Sequence, residues 1–248
     1  MKHMSLLGVA ACAADAEFRA GLPFPCADIA RETIPPLLRR RSSQAMQLAF
    51  SAATEACARA GRSPSVLPAV FASVAGEIQT TDQLCIELAK ADGVVSPSAF
   101  HNSVQNTAAG YWSIAHRCTQ PASALAAGRD TFAMALLEAW CQLACQGGEL
   151  LLVCYDERWP NYLAPGQGQT AFACAMVLAA GSTAGCLLRM GRPVQDLTAA
   201  LPDTSTKAAA DIPILAAMPL LGLAGQADSI QPESVSVGQA WRVEVDSG

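Results

Sequence analysis

Two stretches of this chain carry no charged or amide side chain over most of a strand's length: Leu150-Leu151-Leu152-Val153-Cys154-Tyr155 and the run from Ala171 to Ala180. Runs this apolar read as buried strands, and a buried strand needs a sheet covered by other elements. Such runs alternate here with segments of helical period, the pattern of an α/β domain. Met4 to Cys12 reads as a first strand. Ser43 is placed to cap a helix reaching Ala60, with Leu48, Ala49, Ala52, Ala56 and Cys57 on one face and Gly61 as its stop. Leu67 to Val74 is a further strand. Thr80 or Thr81 starts a helix carrying Leu84, Ile86, Leu88 and Ala89 to near Gly93. The pattern then predicts a helix over 106–116, a short strand over 122–126, and a helix capped by Asp130 that closes at Gly147-Gly148. Ala171–Ala180 and Cys186–Met190 read as two strands joined by a Gly-Ser turn, and Trp241 to Val245 alternates as an edge strand would. No repeat or linker divides the chain, so residues 1–248 are expected to form a single domain, with 195–248 its least legible part.

Composition narrows the function classes. The chain is 52% hydrophobic and 15% charged with a net charge of −5, which argues against nucleic acid as the main ligand. Ala171–Gly181 is far shorter than the roughly 20 residues of a membrane-spanning helix. The ten cysteines include no C-x-x-C, and Cys57, Cys85, Cys154, Cys174 and Cys186 sit among Ala, Leu and Val. They read as buried free thiols, which points to a reducing, cytoplasmic setting. Cys141 and Cys145 share a helix face without a second ligand pair. Lys2 and the apolar run to Cys12 also resemble a short signal peptide; the buried-strand reading is preferred.

The middle of the chain carries a family resemblance. Ser96-Pro97-Ser98-Ala99-Phe100, then Asn106-Thr107-Ala108-Ala109-Gly110, then Pro121, resembles the approach to the active-site cysteine of β-ketoacyl synthases. Gly148 to Val153 lies where that family has its strand after the nucleophile helix, and Arg39-Arg40-Arg41 before an Ala-rich helix is similar too. The resemblance covers roughly residues 1–190. It implies a thiolase-like layered α-β-α-β-α fold, here about the N-terminal half of a ketosynthase plus a short C-terminal extension. Counted from Asn106 without a gap, the family's cysteine falls on Arg129, and the family's G-P turn reads Gln120-Pro121. Complete ketosynthases are considerably longer and carry two activating histidines in their second half. His3, His101 and His116 all precede the elbow. Neither thiolate nor imidazole is therefore expected where condensation needs them, and no catalytic residue is assigned.

The phrasing from Ser96 to Gly110 and from Ala127 to Phe132 looks most like the short chain-length factors of aryl-polyene pathways. That resemblance implies a heterodimer with an active ketosynthase, acyl carrier protein as a second partner, and no cofactor or metal. It implies tunnel or interface roles for Phe100, Ser103, Val104, Thr107, Tyr111 and Trp112, and for Ala122, Ser123 and Ala124 in the strand that pairs across the dimer axis. Arg39, Arg40 and Arg41 are candidates for docking an acidic carrier protein, although a solvated cluster before a helix is the plainer reading. Arg129 is expected to pair with Asp130 or Asp156, the alternatives being solvent or the partner. Ser123 lacks a G-x-S-x-G elbow, and His101 and His116 lack co-ligands at metal spacing. Gly166-Gln167-Gly168 and Gly222-Leu223-Ala224-Gly225 are too weak for nucleotide loops. Two rival readings stay open: a thiolase-fold thioesterase or decarboxylase acting alone on carrier-bound chains, and a homodimeric carrier-binding scaffold.

Overall fold

The computed structural model describes residues 3–163, 170–197, 212–224 and 233–247. Among the described residues nine strands form one mixed sheet: β1 (His3–Ala13), β2 (Ala69–Ala72), β3 (Ala122–Leu125), β4 (Glu149–Asp156), β5 (Phe172–Ala180), β6 (Leu188–Gly191), β7 (Val194–Gln195), β8 (Glu233–Ser236) and β9 (Trp241–Ser247). Their order is β3-β2-β4-β5-β1-β6-β9-β7, with β8 on β9. β2 runs parallel to β3 and β4, and the remaining pairings are antiparallel. The helices are α1 (Ala16–Ala20), α2 (Pro36–Arg39), α3 (Gln44–Arg59), α4 (Ile78–Leu88), α5 (Pro97–Asn102), α6 (Thr107–His116), α7 (Thr131–Gln146) and α8 (Met218–Ala224).

The all-apolar strands sit where their composition demands. Leu150, Leu152 and Cys154 of β4 pack with Phe132, Leu136 and Leu143 of α7 on one face. Leu151, Val153 and Tyr155 pack with α3 and α6 on the other. In β1 the register with β5 shifts between Leu6 and Gly8. This bulge lets Leu6 and Val9 share the α7 face despite their odd spacing. Gly8 lies so close to α3 that a Cβ there would stand 2.5 Å from the Ala56 carbonyl oxygen, so α3 rests on this part of β1 only because the side chain is absent.

Several boundaries and partners differ from the sequence reading. Ser43 does cap α3, its Oγ accepting from the Met46 N–H at 3.0 Å. Asp130 does not cap α7. Instead, Thr131 Oγ1 donates to the Gly128 carbonyl at 2.7 Å and accepts the Ala127 N–H at 3.0 Å, because a 3-10 turn, Gly128–Asp130, precedes the helix. The 67–74 run pairs only over Ala69–Ala72. α4 begins at Ile78, ahead of both threonines, and leaves Ile86 and Leu88 exposed. The strands β5 and β6 follow one another through Gly181-Ser182 without pairing, since β1 lies between them. Trp241 to Val245 is not an edge: β6 and β7 pair with one side of β9 and β8 with the other. Cys85 is exposed and Cys186 half-buried, although Cys57, Cys154 and Cys174 are buried as expected; all ten cysteines are free. Among the described residues no helix is long and apolar enough to cross a membrane. Gly166 to Gly168, Gly225 and all of 199–210 lie outside the described residues.

Candidate functional site at the carboxyl ends of the parallel strands

The parallel strands β3, β2 and β4 end side by side, and open α/β sheets place their chemistry outside such ends. β2 ends at Ala72, and the next residue, Ser73, donates its N–H to the Leu125 carbonyl at the end of β3 at 3.2 Å. β4 ends at Asp156, whose Oδ1 accepts from Ser73 Oγ at 2.8 Å and from the Val74 N–H at 2.9 Å. From β3 the chain passes through Gly128, held at φ 56°, into the 3-10 turn and then α7. This is a strand–turn–helix elbow, and Arg129 stands on it. The guanidinium is exposed and makes no ion pair with any described residue. The expected pairing with Asp130 or Asp156 does not form. Asp156 is buried and taken up by the end of β2, and Asp130 has an unpartnered, buried Oδ1 beside Gly238.

The elements before the elbow divide the candidate tunnel residues into two environments. Trp112 and Tyr111 are in the core: Trp112 meets Phe50 edge-on at 5.2 Å and His116 at 4.0 Å between ring centroids. Burial also holds His116 below the usual imidazole range. Phe100 and Val104, by contrast, are 66% and 46% exposed. Ser103 is half-buried and donates to the Phe100 carbonyl, ending α5. Asn102 ties the two environments together, and the sequence reading passed over it. Its Oδ1 accepts from Tyr111 OH at 2.6 Å, its carbonyl accepts from Thr107 Oγ1 at 3.1 Å, and its Nδ2 donates to the Arg41 carbonyl at 3.3 Å. Asparagine inside S-P-S-A-F-H-N gives no sign of that reach before α2 and α6 are brought together.

Arg39, Arg40 and Arg41 are all exposed, and Asn102 fixes their backbone next to α5. On the opposite flank β3 closes the sheet, with Ala122 exposed and Ser123 and Ala124 half-buried. Ser123 Oγ accepts from Gln142 Nε2 at 3.1 Å, so its hydroxyl is engaged with α7. Among the described residues no cluster of His, Cys, Asp or Glu has a metal-binding arrangement. His101 lies 6.5 Å from Tyr111, ring to ring, and not beside His116.

Three buried acids stand at these strand ends, of which the sequence reading named only Asp156, and that as a partner for Arg129. Glu77, Asp156 and Glu157 are 2%, 3% and 5% exposed, and burial pushes each up to about 7. Glu157 accepts from the Gln79 N–H at 2.9 Å. The only sequence signal was two adjacent acids directly after an apolar strand.

Residues 14–220 match the family model described as "Beta-ketoacyl synthase, N-terminal domain". No curated protein sequence matches the chain. Among solved structures, a chain of the "Ketosynthase (ApeO) in Complex with its Chain Length Factor (ApeC) from Xenorhabdus doucetiae" is 20% identical, aligns over 99% of both chains and superposes with a TM-score of 0.69. A chain of the complex of a type II polyketide synthase acyl-carrier protein with its ketosynthase, AntDE:AntF, is 12% identical, covers 100% of both and gives 0.70. A β-ketoacyl synthase from Burkholderia phymatum STM815 is 15% identical over 97% of this chain and 75% of its own, with 0.62. The fold is the thiolase-like fold of ketosynthases; the described residues supply one sheet between two helical layers.

Proposed function

Since the chain belongs to the β-ketoacyl synthase family and carries its N-terminal domain, we propose that it is a non-catalytic chain-length-factor subunit. In this reading it pairs with an active ketosynthase and shapes the acyl tunnel in polyene-type chain elongation. One observation carries the reading: the strand–turn–helix elbow is kept, yet it presents Arg129 where the family resemblance places a cysteine. A guanidinium stays protonated at all working pH values and has no lone pair to attack a thioester. The subunit then acts by shape and surface, and its partner supplies thiolate and imidazoles.

The surface supports that division. β3 ends the sheet and offers small side chains and an unpaired strand edge, which a partner strand can extend. Phe100, Val104 and Ile114, at 66%, 46% and 63% exposure, are large apolar groups left open near the elbow's approach. Arg39 to Arg41 present positive charge suited to an acidic carrier protein. Two of the solved structures it resembles are a ketosynthase with its chain-length factor and a carrier protein with its ketosynthase.

Native mass spectrometry of the chain co-expressed with an active ketosynthase of the same family from its own source tests the proposal. A stable one-to-one complex is the expected result. A lone monomer or a homodimer with no affinity for the ketosynthase overturns it.

A further inference from the structure

Glu77, Asp156 and Glu157 serve none of the roles above, and their surroundings give them a job of their own. They come from two segments: Glu77 from the turn leaving β2, and Asp156 and Glu157 from the end of β4. Nearly every bond between those segments runs through a carboxylate. Asp156 Oδ1 accepts from Ser73 Oγ and the Val74 N–H, at 2.8 and 2.9 Å. Glu157 Oε1 accepts from the Gln79 N–H at 2.9 Å. Ser73 Oγ in turn accepts the Gly76 N–H at 2.8 Å, and Gln105 Nε2, from the turn between α5 and α6, donates to the Ser73 carbonyl at 2.9 Å. Two acceptors in this network, Glu77 Oε1 and Asp156 Oδ2, are buried without a partner. A buried carboxylate oxygen in that state is costly as an anion and tolerable as a protonated acid.

We propose that Glu77, Asp156 and Glu157 form a proton-operated latch that fastens the 73–79 turn, and through Gln105 the approach to α6, onto the end of β4. With protons held, the latch is shut. Loss of those protons places like charges together in a dry site and favours release of the turn. The groups facing the cluster are few. Ser43 at the start of α3 faces Glu77 and opposes its rise, while Tyr155 and Cys154 of β4 are both held protonated, chiefly by burial. Arg158 contributes its carbonyl to Gln79 and keeps its side chain exposed. Each of the three acids is raised first by burial, and Glu157 adds to the rise of Glu77 and Asp156. The latch is independent of the partner-subunit reading and stands or falls on the isolated chain.

Amide hydrogen exchange of the whole protein from about pH 5 to about pH 8, expressed as protection factors to divide out intrinsic exchange, reads the latch directly. Released acids titrate near their ordinary values of about 4 and latched ones near 7, so opening becomes easier as pH rises between them. Protection of residues 73–79 is expected to fall by up to about tenfold per pH unit for each proton retained by the closed form. In Glu77→Gln, whose amide stays neutral, that slope should flatten by about one proton's share. Flat protection in the wild type, or an unchanged slope in Glu77→Gln, overturns the proposal. Should Glu77→Gln not fold, carboxyl-carbon NMR of the wild type replaces it. Three Asp and Glu carbons titrating near 7 are expected, and none titrating above about 5 refutes the latch.

Discussion

At the scale of single residues, burial separates candidates that look alike in sequence. Phe100 and Trp112 both belong to the stretch that resembles a tunnel wall, yet one projects into solvent and the other is 1% exposed between Phe50 and His116. Trp112→Ala should therefore lower stability by about 3–5 kcal/mol in chemical denaturation. Phe100→Ala should change it by less than about 0.5 kcal/mol and act on the complex and its products instead. A Phe100→Ala variant with intact assembly and unchanged product length would argue against a tunnel role there. Arg129→Ala should likewise be nearly neutral, because an exposed guanidinium without an ion pair has little to lose. Gly8→Ala should be severe for its size. Its methyl would sit 2.5 Å from the Ala56 carbonyl, and a packed strand–helix contact yields poorly. A midpoint within experimental error of wild type would mean that α3 can withdraw from β1.

At the scale of elements, the start of α7 is the clearest departure from pattern. An aspartate before a helix ordinarily caps it, but here the 3-10 turn rotates Asp130 away and Thr131 takes over the loose backbone groups. Thr131→Ala should destabilise by about 1–2 kcal/mol and Asp130→Asn by less, a ranking that thermal melts can check. The rank would invert if Asp130 were the cap. Edge strand β3 makes a second prediction. Ala122→Lys places a charge on an exposed edge position, so the isolated subunit should melt as before while its pairing with a ketosynthase weakens. The helix α4 shows why periodicity alone misled: Ile86 and Leu88 look like core positions, but only Asp82 and Leu84 of that helix are buried. A helix at the rim, packed on α5, has little sheet to cover.

At the scale of the whole molecule, the buried acids should dominate the pH dependence of stability. Their folded values near 7 lie above ordinary carboxyl values, so the folded chain holds more protons than the unfolded one between about pH 4 and pH 7. Stability must then fall as pH rises through that window and level off above it, by an amount on the order of several kcal/mol. Urea midpoints that rise from about pH 5 to about pH 7 would contradict the protonated cluster.

Much of this molecule was determined by the sequence alone. Runs such as Leu150 to Tyr155 and Ala171 to Ala180 call for burial on every side, and their strand-like length between turn residues reads as buried strands. Ser43 and Gly61 bound α3 through local chemistry that needs no distant partner. The elbow at Arg129 was legible through the family resemblance, which is carried by the order and spacing of residues from Asn106 onward. Only the tertiary structure decided what depends on meeting across the fold. It set β1 between β5 and β6, enclosed β9 between neighbours on both sides, and joined Arg41, Asn102 and Tyr111. It also gathered Glu77, Asp156 and Glu157 from separate segments into one dry site. Hydrophobic period and capping are written within a few consecutive residues, whereas strand order and the burial of charge are set by contacts between residues far apart in the chain.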